Sequence, residues 1–282
     1  MPITQDPAAI KDREFKTWTL VAPGWRKHDT RLVEITKPVT ERMLDLARIQ
    51  SGQRVLDLAC GTGEPALAAA ARVGKGEVVA LDFVEEMLEF AREKAVAKGL
   101  RNVVFQKADA EELRFPDDSF DAVTIRFGLM FMPEPLVCLK KALRVLKPGG
   151  QFVAACWAAP KDNPWASLPM GIIRRELSME TPAPGSPGLF QFADSARFES
   201  MMHEAGFHHV TVEPVRVRMA DFDTPAEYFD WTQDLAGPVA ILFKQIPANR
   251  QPVVRAEIER AVTASNGRVE LDGVTWVVHG EK

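Results

Sequence analysis

The chain has 282 residues, 46% of them hydrophobic and 26% charged, an ordinary globular composition that excludes extensive disorder and allows a substantial core. Its 35 Lys and Arg against 39 Asp and Glu give a formal net charge of −4 without a dense basic run, which argues against a nucleic-acid binder. No segment approaches the ~18 uninterrupted apolar residues that span a bilayer, and Met1 to Lys16 lack the apolar core of a signal peptide, so the expectation is a cytoplasmic protein with no membrane partner.

The first 40 residues hold Trp25, Arg26, Lys27 and His28 just ahead of a first core helix. Arg54 to Leu58 is then a short apolar strand that runs through Ala59-Cys60 into Gly61-Thr62-Gly63-Glu64-Pro65-Ala66 and a helix start. Strand, glycine turn and helix in this order place a nucleoside-type ligand at the carboxyl end of a parallel strand. Gly61 and Gly63 have no Cβ, so the chain can turn sharply and a ligand can come close. The run also fits a loose GxGxxA dinucleotide pattern, and a dinucleotide rests its pyrophosphate on free N–H groups at the helix N-terminus. Here Pro65 removes one N–H and Glu64 adds a negative charge. Both oppose a pyrophosphate and suit a phosphate-free ligand such as S-adenosylmethionine, whose ammonium Asp57 can meet directly or through water.

Val78 to Asp82 is a second strand ending in an acid 19 residues after Gly63, placed to accept the ribose hydroxyls. Capping of the following helix, Val84 to Lys98, is the alternative role for Asp82. A third strand, Val103 to Lys107, leads into Ala108-Asp109-Ala110-Glu111-Glu112, and Pro116 to Asp121 opens a fourth, Ala122 to Ile125. A helix from about Pro135 carries Leu136, Leu139, Leu143 and Leu146 on one face, Lys147-Pro148-Gly149-Gly150 stops it, and Gln151 to Trp157 is a fifth strand. This alternation predicts an α/β fold with a parallel sheet covered on both faces.

Together these residues resemble the class I S-adenosylmethionine-dependent methyltransferases. Val55 to Gly63, Asp82, Ala108-Asp109-Ala110 and Leu146 to Gly150 match in order and spacing over roughly residues 40–160. Phe127-Gly128-Leu129 and Arg144 to Gly150 are similar to the methyltransferases of ubiquinone and menaquinone synthesis. That subgroup has Glu-x-Ser after the glycine pair where this chain has Cys156-Trp157-Ala158, a departure that speaks against a quinone substrate. The resemblance implies a Rossmann-like, doubly wound, seven-stranded and mostly parallel sheet with a helical substrate lid. It also implies S-adenosylmethionine as cofactor, S-adenosylhomocysteine as product, and no metal. The expected cofactor residues are Asp57, Ala59, Gly61, Gly63, Asp82, Phe83, Met87, Asp109, Ala110 and Arg126. Among them Asp109 would bond the adenine amino group, Ala110 would give a neighbouring backbone contact, Phe83 and Met87 would line the adenine face, and Arg126 would lie near the methionine portion.

Beyond the fifth strand, proline-rich residues 158–190 interrupt the alternation, with a short helix at Leu168 to Leu177. Asp194 to Ala205 is helical with Gly206 as its stop, and Val210 to Met219 alternates as a sixth strand. Residues 221–268 carry two or three helices, including Pro225 to Ala236 and Pro252 to Ala264, before Val274 to His279 closes as a last strand, antiparallel by the resemblance. The predicted organisation is an N-terminal lid segment at 1–40, a cofactor-binding core at 41–160 and 191–220, lid insertions at 161–190 and 221–270, and a last core strand at 271–282. A lid helix can also pair between subunits, which leaves a homo-oligomer open.

Methyl transfer from a sulfonium is an in-line displacement from an activated donor, so positioning and desolvation of the acceptor carry most of the catalysis. The acceptor is expected to be an O, N or C nucleophile of a small apolar or aromatic metabolite. A protonated acceptor needs a base, for which His28 is the candidate; Trp25 and Phe131 are the other pocket candidates, Trp25 through a cation–π contact to the sulfonium or as plain core. His203, His208, His209 and His279 read as surface or packing residues, and Cys60, Cys138 and Cys156 as buried free thiols. Two other functions stay open at this level: an NAD-dependent oxidoreductase, and a non-methylating protein that retains the cofactor.

Overall fold

The computed structural model describes residues 6–282, so the first five residues of the expected lid segment lie outside it. Two helices, α1 (Pro7–Lys27) and α2 (Asp29–Leu46), precede β1 (Arg54–Leu58). The alternating core follows: α3 (Ala66–Val73), β2 (Glu77–Asp82), α4 (Glu85–Ala97), β3 (Val103–Lys107), β4 (Phe120–Arg126), α5 (Pro135–Val145) and β5 (Leu146–Trp157). After it come α6 (Pro164–Glu176), α7 (Ser195–Ala205), β6 (His208–Phe222), α8 (Pro225–Leu235), α9 (Gly237–Gln245), α10 (Gln251–Val262) and β7 (Val269–Glu281).

Among the described residues the strands form one seven-stranded sheet in the order β3-β2-β1-β4-β5-β7-β6. Strands β1 to β5 pair in parallel, and β7 runs antiparallel to β5 and β6, as the resemblance implies. The chain leaves β1 toward β2 and β3, then returns to β4 on the other side of β1. The crevice at the carboxyl ends of β1 and β4 is therefore the topological switch point, where ligands of such sheets bind. Every residue of β1 after Arg54 is buried, and so are Ala122 to Ile125 of β4. Apart from Asp57 and Thr124 these buried runs are apolar, as a parallel strand covered on both faces requires.

Several boundaries differ from the sequence expectation. Leu146 is not helical: it ends α5 with extended angles (φ −69°, ψ 140°) and pairs with Phe120 as the first residue of β5. Pro148 disfavours helix in Lys147, and Lys147 Nζ instead donates to Asp121 Oδ1 at 2.7 Å, so the sheet takes over one turn early. β6 and β7 exceed their predicted lengths because they pair with each other from His208↔Glu281 to Phe222↔Val269, beyond the apolar alternation. Charged cross-strand contacts such as Arg218 Nε to Asp272 Oδ1, 2.6 Å, sit on that ladder. α6 begins at Pro164 rather than Leu168, and α1, which no sequence pattern announced, spans most of the N-terminal segment.

α1 lies between the core and the late helices. It packs against α4 on one side and against α8 and α9 on the other, while α6 packs on α9 and α10. Its approach to α8 is close: a Cβ on Gly24 would lie 2.0 Å from the Asp234 carbonyl oxygen. Trp25 Nε1 donates to the Leu235 carbonyl at 3.1 Å. The first residues after β5 are fastened by Asn163, which is fully buried. Its Nδ2 donates to the Val274 and Ala159 carbonyls, and its Oδ1 accepts from the Val274 N–H and from Trp165 Nε1, all within 3.2 Å.

Removing that side chain strands buried donors and acceptors. Asn163→Ala is expected to destabilise the fold by about 3 kcal/mol, read as a lowered urea midpoint with an unchanged slope; a loss under about 1 kcal/mol would show that the loop relaxes without it.

Candidate cofactor and acceptor site

The turn after β1 is built from backbone conformations that few side chains tolerate. Ala59, Gly61 and Gly63 have φ of 50°, 52° and 104°. A Cβ on Gly61 would meet nothing within 4 Å, so the turn borders open space, whereas one on Gly63 would press on Leu67 and Ala91 at 3.0–3.1 Å. The two glycines thus do different things: Gly61 faces the site and Gly63 lets α3 and α4 pack. Thr62 is clipped from outside, its Oγ1 donating to Asp29 Oδ1 at 2.9 Å, and the same oxygen accepts from Lys94 Nζ at 2.8 Å.

The N-terminus of α3 carries no free donor. The Ala66 N–H donates to Asp57 Oδ2 (3.2 Å) and the Ala68 N–H to Glu64 Oε2 (3.3 Å). The Leu67 and Ala69 N–H groups donate to the Gly63 and Pro65 carbonyls. Two buried carboxylates therefore occupy the place where a pyrophosphate would sit. Asp57 is wholly buried, and its Oδ1 accepts from Thr124 Oγ1 at 2.7 Å. Burial pushes its carboxyl up to about 7, against the opposing pull of Thr124, Arg126 and the Ala66 N–H, and Glu64 adds to the rise.

At the end of β2, Asp82 accepts from the Gly61 N–H (2.8 Å) and the Val84 N–H (2.9 Å). Burial raises its carboxyl above the usual range, with these backbone donors and that of Phe83 opposing. Val84 is the cap residue of α4 and Asp82 precedes it by two, so Asp82 spans the glycine turn and the β2–α4 turn rather than capping the helix. Asp109 follows β3; its Oδ1 accepts from the Glu111 N–H at 2.8 Å and its Oδ2 from Lys11 Nζ of α1 at 2.7 Å. Ala110 beside it is buried.

Arg126 ends β4. Its NH1 group donates to Thr36 Oγ1 (2.6 Å) and Thr40 Oγ1 (2.9 Å) of α2, and its Nε is buried without a partner. Burial lowers its pKa, while the charges of Glu64, Asp57 and Asp29 hold it up. The next residue, Phe127, has φ 61°, and its ring stacks on Trp157 of β5 with centroids 4.5 Å apart and planes 3° apart; Trp165 meets the Trp157 ring at 4.9 Å. An aromatic wall thus stands beside the guanidinium at the carboxyl ends of β4 and β5.

α1 covers the β2 side of the crevice. Phe15 lies 5.9 Å from Phe83, and Ala22, Trp18 and Trp25 pack with Val84 and Met87. Trp18 meets Phe131 edge-on at 4.9 Å, which joins α1 to the turn after β4. Trp25, for which the sequence leaves a sulfonium contact and plain core packing both open, packs on Trp18 and bonds the end of α8. His28 caps α2, and its Nε2 lies 2.8 Å from Asp234 Oδ2, which Lys27 also pairs with. The structure therefore gathers Asp57, Ala59, Gly61, Asp82, Phe83, Met87, Asp109, Ala110 and Arg126 along one rim of strand ends and sets His28 at the α1–α8 junction.

Residues that the sequence reading passed over also shape this rim: Lys11, Trp18, Asp29, Thr36, Thr40, Lys94, Glu111 and Thr124. Thr124 alone left a signal, a polar residue inside the buried run of β4.

A family model described as the ubiE/COQ5 methyltransferase family matches residues 33–165. Demethylmenaquinone methyltransferase of Listeria monocytogenes serotype 4a is 36% identical over 211 residues, covering 71% of this chain and 89% of that protein. The ubiquinone/menaquinone biosynthesis C-methyltransferase UbiE of Yersinia enterocolitica is 38% identical over 179 residues, covering 60% and 71%. Among solved structures, the YcgJ protein of Bacillus subtilis shares the fold with a TM-score of 0.58 at 23% identity, over 86% of this chain and 97% of that one. A putative methyltransferase of Bacillus halodurans does so at 0.57 and 23%, over 86% and 98%. By the extent of these matches, the chain belongs to the ubiE/COQ5 methyltransferase family.

Proposed function

We propose that this chain transfers the methyl group of S-adenosylmethionine to a nucleophilic ring atom or ring substituent of a small, flat aromatic metabolite. The observation that carries the cofactor half is the carboxylate-filled N-terminus of α3, which rejects a pyrophosphate and receives a cation. On this reading Asp57 and Glu64 face the cofactor's ammonium, the free Nε of Arg126 takes its carboxylate, Asp82 accepts from the ribose hydroxyls, and Asp109 with Ala110 reads adenine between Phe83 and Met87. The open space beside Gly61 admits such a ligand. The bound cofactor supplies an activated methyl group. What the chain contributes is alignment and the exclusion of water.

The acceptor half rests on the wall of Phe127, Trp157 and Trp165, which suits a flat ring. The relatives' names favour a ring carbon of a quinone-type acceptor. Against the same head group stands Cys156, a buried thiol that burial holds far from ionisation, in the place where the subgroup has a carboxylate. We therefore favour a different hydroxylated ring. α1, α6 and α8 to α10 act as the substrate lid. His28, with Nε2 on Asp234, helps to hold that lid shut rather than serving as the base.

Incubation with S-adenosylmethionine and a panel of hydroxylated aromatics, quinols included, should yield S-adenosylhomocysteine with at least one acceptor; tight binding of NADH with none of the sulfur ligands would overturn the assignment. Arg126→Met is expected to weaken S-adenosylhomocysteine about tenfold or more while leaving 5′-methylthioadenosine, which lacks the amino-acid end, within about twofold. Equal losses on both ligands in calorimetry would remove Arg126 from the carboxylate.

An ammonium favours ionised Asp57, so cofactor affinity should rise with pH up to about 7 and level off, falling up to about tenfold per unit below it. Without ligand the sign is opposite: the raised carboxyl favours the folded state at low pH, and that stability is lost between about pH 4 and about 7. Titration of binding from pH 5.5 to 7.5 should show the slope in the parent and a flat line in Asp57→Asn.

A further inference from the structure

Lys11, half-buried beside the buried face of α1, reaches two acids at once. Its Nζ lies 2.7 Å from Asp109 Oδ2 and 2.6 Å from Glu111 Oε2. Burial by itself would lower the ammonium's pKa, but the two carboxylates outweigh it and hold the lysine above its ordinary range. The two acids are not equally free. The Glu111 side chain is 3% exposed and is held from behind, its Oε1 accepting the Glu134 N–H at 2.9 Å. Asp109 also has one backbone donor, its Oδ1 accepting the Glu111 N–H at 2.8 Å, but its side chain is 33% exposed and among the described residues its Oδ2 has only Lys11 to hold it. Without the ammonium two like charges would be left within reach of one another, and the one able to turn away into water is Asp109.

We infer that Lys11 is a positioning residue for adenine recognition: it keeps Asp109 turned inward against the charge of Glu111, so that the N-terminal helix must be seated for the purine to be read. This rests on the reading of Asp109 as the adenine acid given above. The rest of α1 fits the role. Phe15 meets Phe83, and Ala22 meets Val84 and Met87, so the helix that supplies the ammonium also covers the side chains flanking the purine. Cofactor binding and seating of α1 then favour each other, because each stabilises the inward Asp109.

The test compares S-adenosylhomocysteine with its 6-deamino analogue, in which hydrogen replaces the adenine amino group, by calorimetric titration of the full chain. Lys11→Met should weaken S-adenosylhomocysteine about tenfold and the deamino analogue by less than about twofold, since the latter offers Asp109 no donor. Lys11→Met combined with Glu111→Gln should return to within about threefold of the parent, because the opposing charge is gone. A purely structural lysine would weaken both ligands alike and would not be rescued by Glu111→Gln; either result overturns the inference. Lys11→Gln, which also removes the charge, is read in the same way should Lys11→Met not fold. Asp109→Ala tests the foundation separately: it should discriminate between the two ligands, and if it does not, the adenine reading itself falls. If Asp109→Ala discriminates and the lysine variants do not, the adenine reading stands and the role of Lys11 is lost.

Discussion

The first four N–H groups of α3 are already in use, two of them by the chain's own carboxylates. A helix N-terminus ordinarily attracts anions through its unpaired donors and its dipole. Asp57 and Glu64 take over that role internally and leave a negative field where other doubly wound sheets hold phosphate. The glycine turn has the shape of a nucleotide loop, but its charge is inverted. This is the feature on which the proposed choice of a nucleoside ligand with a cationic tail over one with a pyrophosphate rests.

Buried carboxylates need compensation, and the compensation organises the elements around the loop. Asp57 takes a hydroxyl from Thr124 on the neighbouring strand, and Arg126 at the end of that strand supplies a positive charge without touching it. Arg126 in turn is carried by Thr36 and Thr40 of α2, and the first residue of α2, Asp29, holds both Thr62 of the turn and Lys94 of α4. α2 lies before the Rossmann-like core in sequence, yet it fixes Arg126 and the glycine turn, the two groups that the proposed reading sets around the methionine end. Geometry of this kind is set before a ligand arrives, which is what an in-line displacement needs from the protein.

What could be read from the sequence follows the range of the forces involved. The left-handed β1 turn and the helix stop at Gly206 depend on neighbours close in the chain, and each stands where the residues put it. The leucine spacing at Leu146 continues a helix, while its pairing with Phe120, 26 residues away, makes it a strand. α1 leaves no clean amphipathic stripe in the sequence, because its buried face, Ile10, Glu14, Thr17 and Val21, mixes charge and hydroxyl with apolar residues and the helix is covered from two sides. Lys11, Thr36 and Thr40 were hidden for the same reason: surface-type residues in helices acquire meaning only from partners 86 to 98 residues away.

The two ends of the site are accordingly built from different material. The proposed cofactor end consists of strand ends, left-handed turn residues and carboxylates fixed by backbone donors within residues 33–165, the span that the family model matches, with Lys11 and Asp29 reaching it from outside that span. The proposed acceptor end begins inside that span, with Phe127 and Trp157, and the proposed lid helices α1 and α8 lie outside it. A change in the lid can therefore alter the acceptor without disturbing the cofactor, provided that Asp109 stays turned inward. On the proposed reading that last condition ties the two ends together, because the proposed lid helix α1 also carries Lys11, and a lid remodelled for a new substrate must still deliver its ammonium to Asp109.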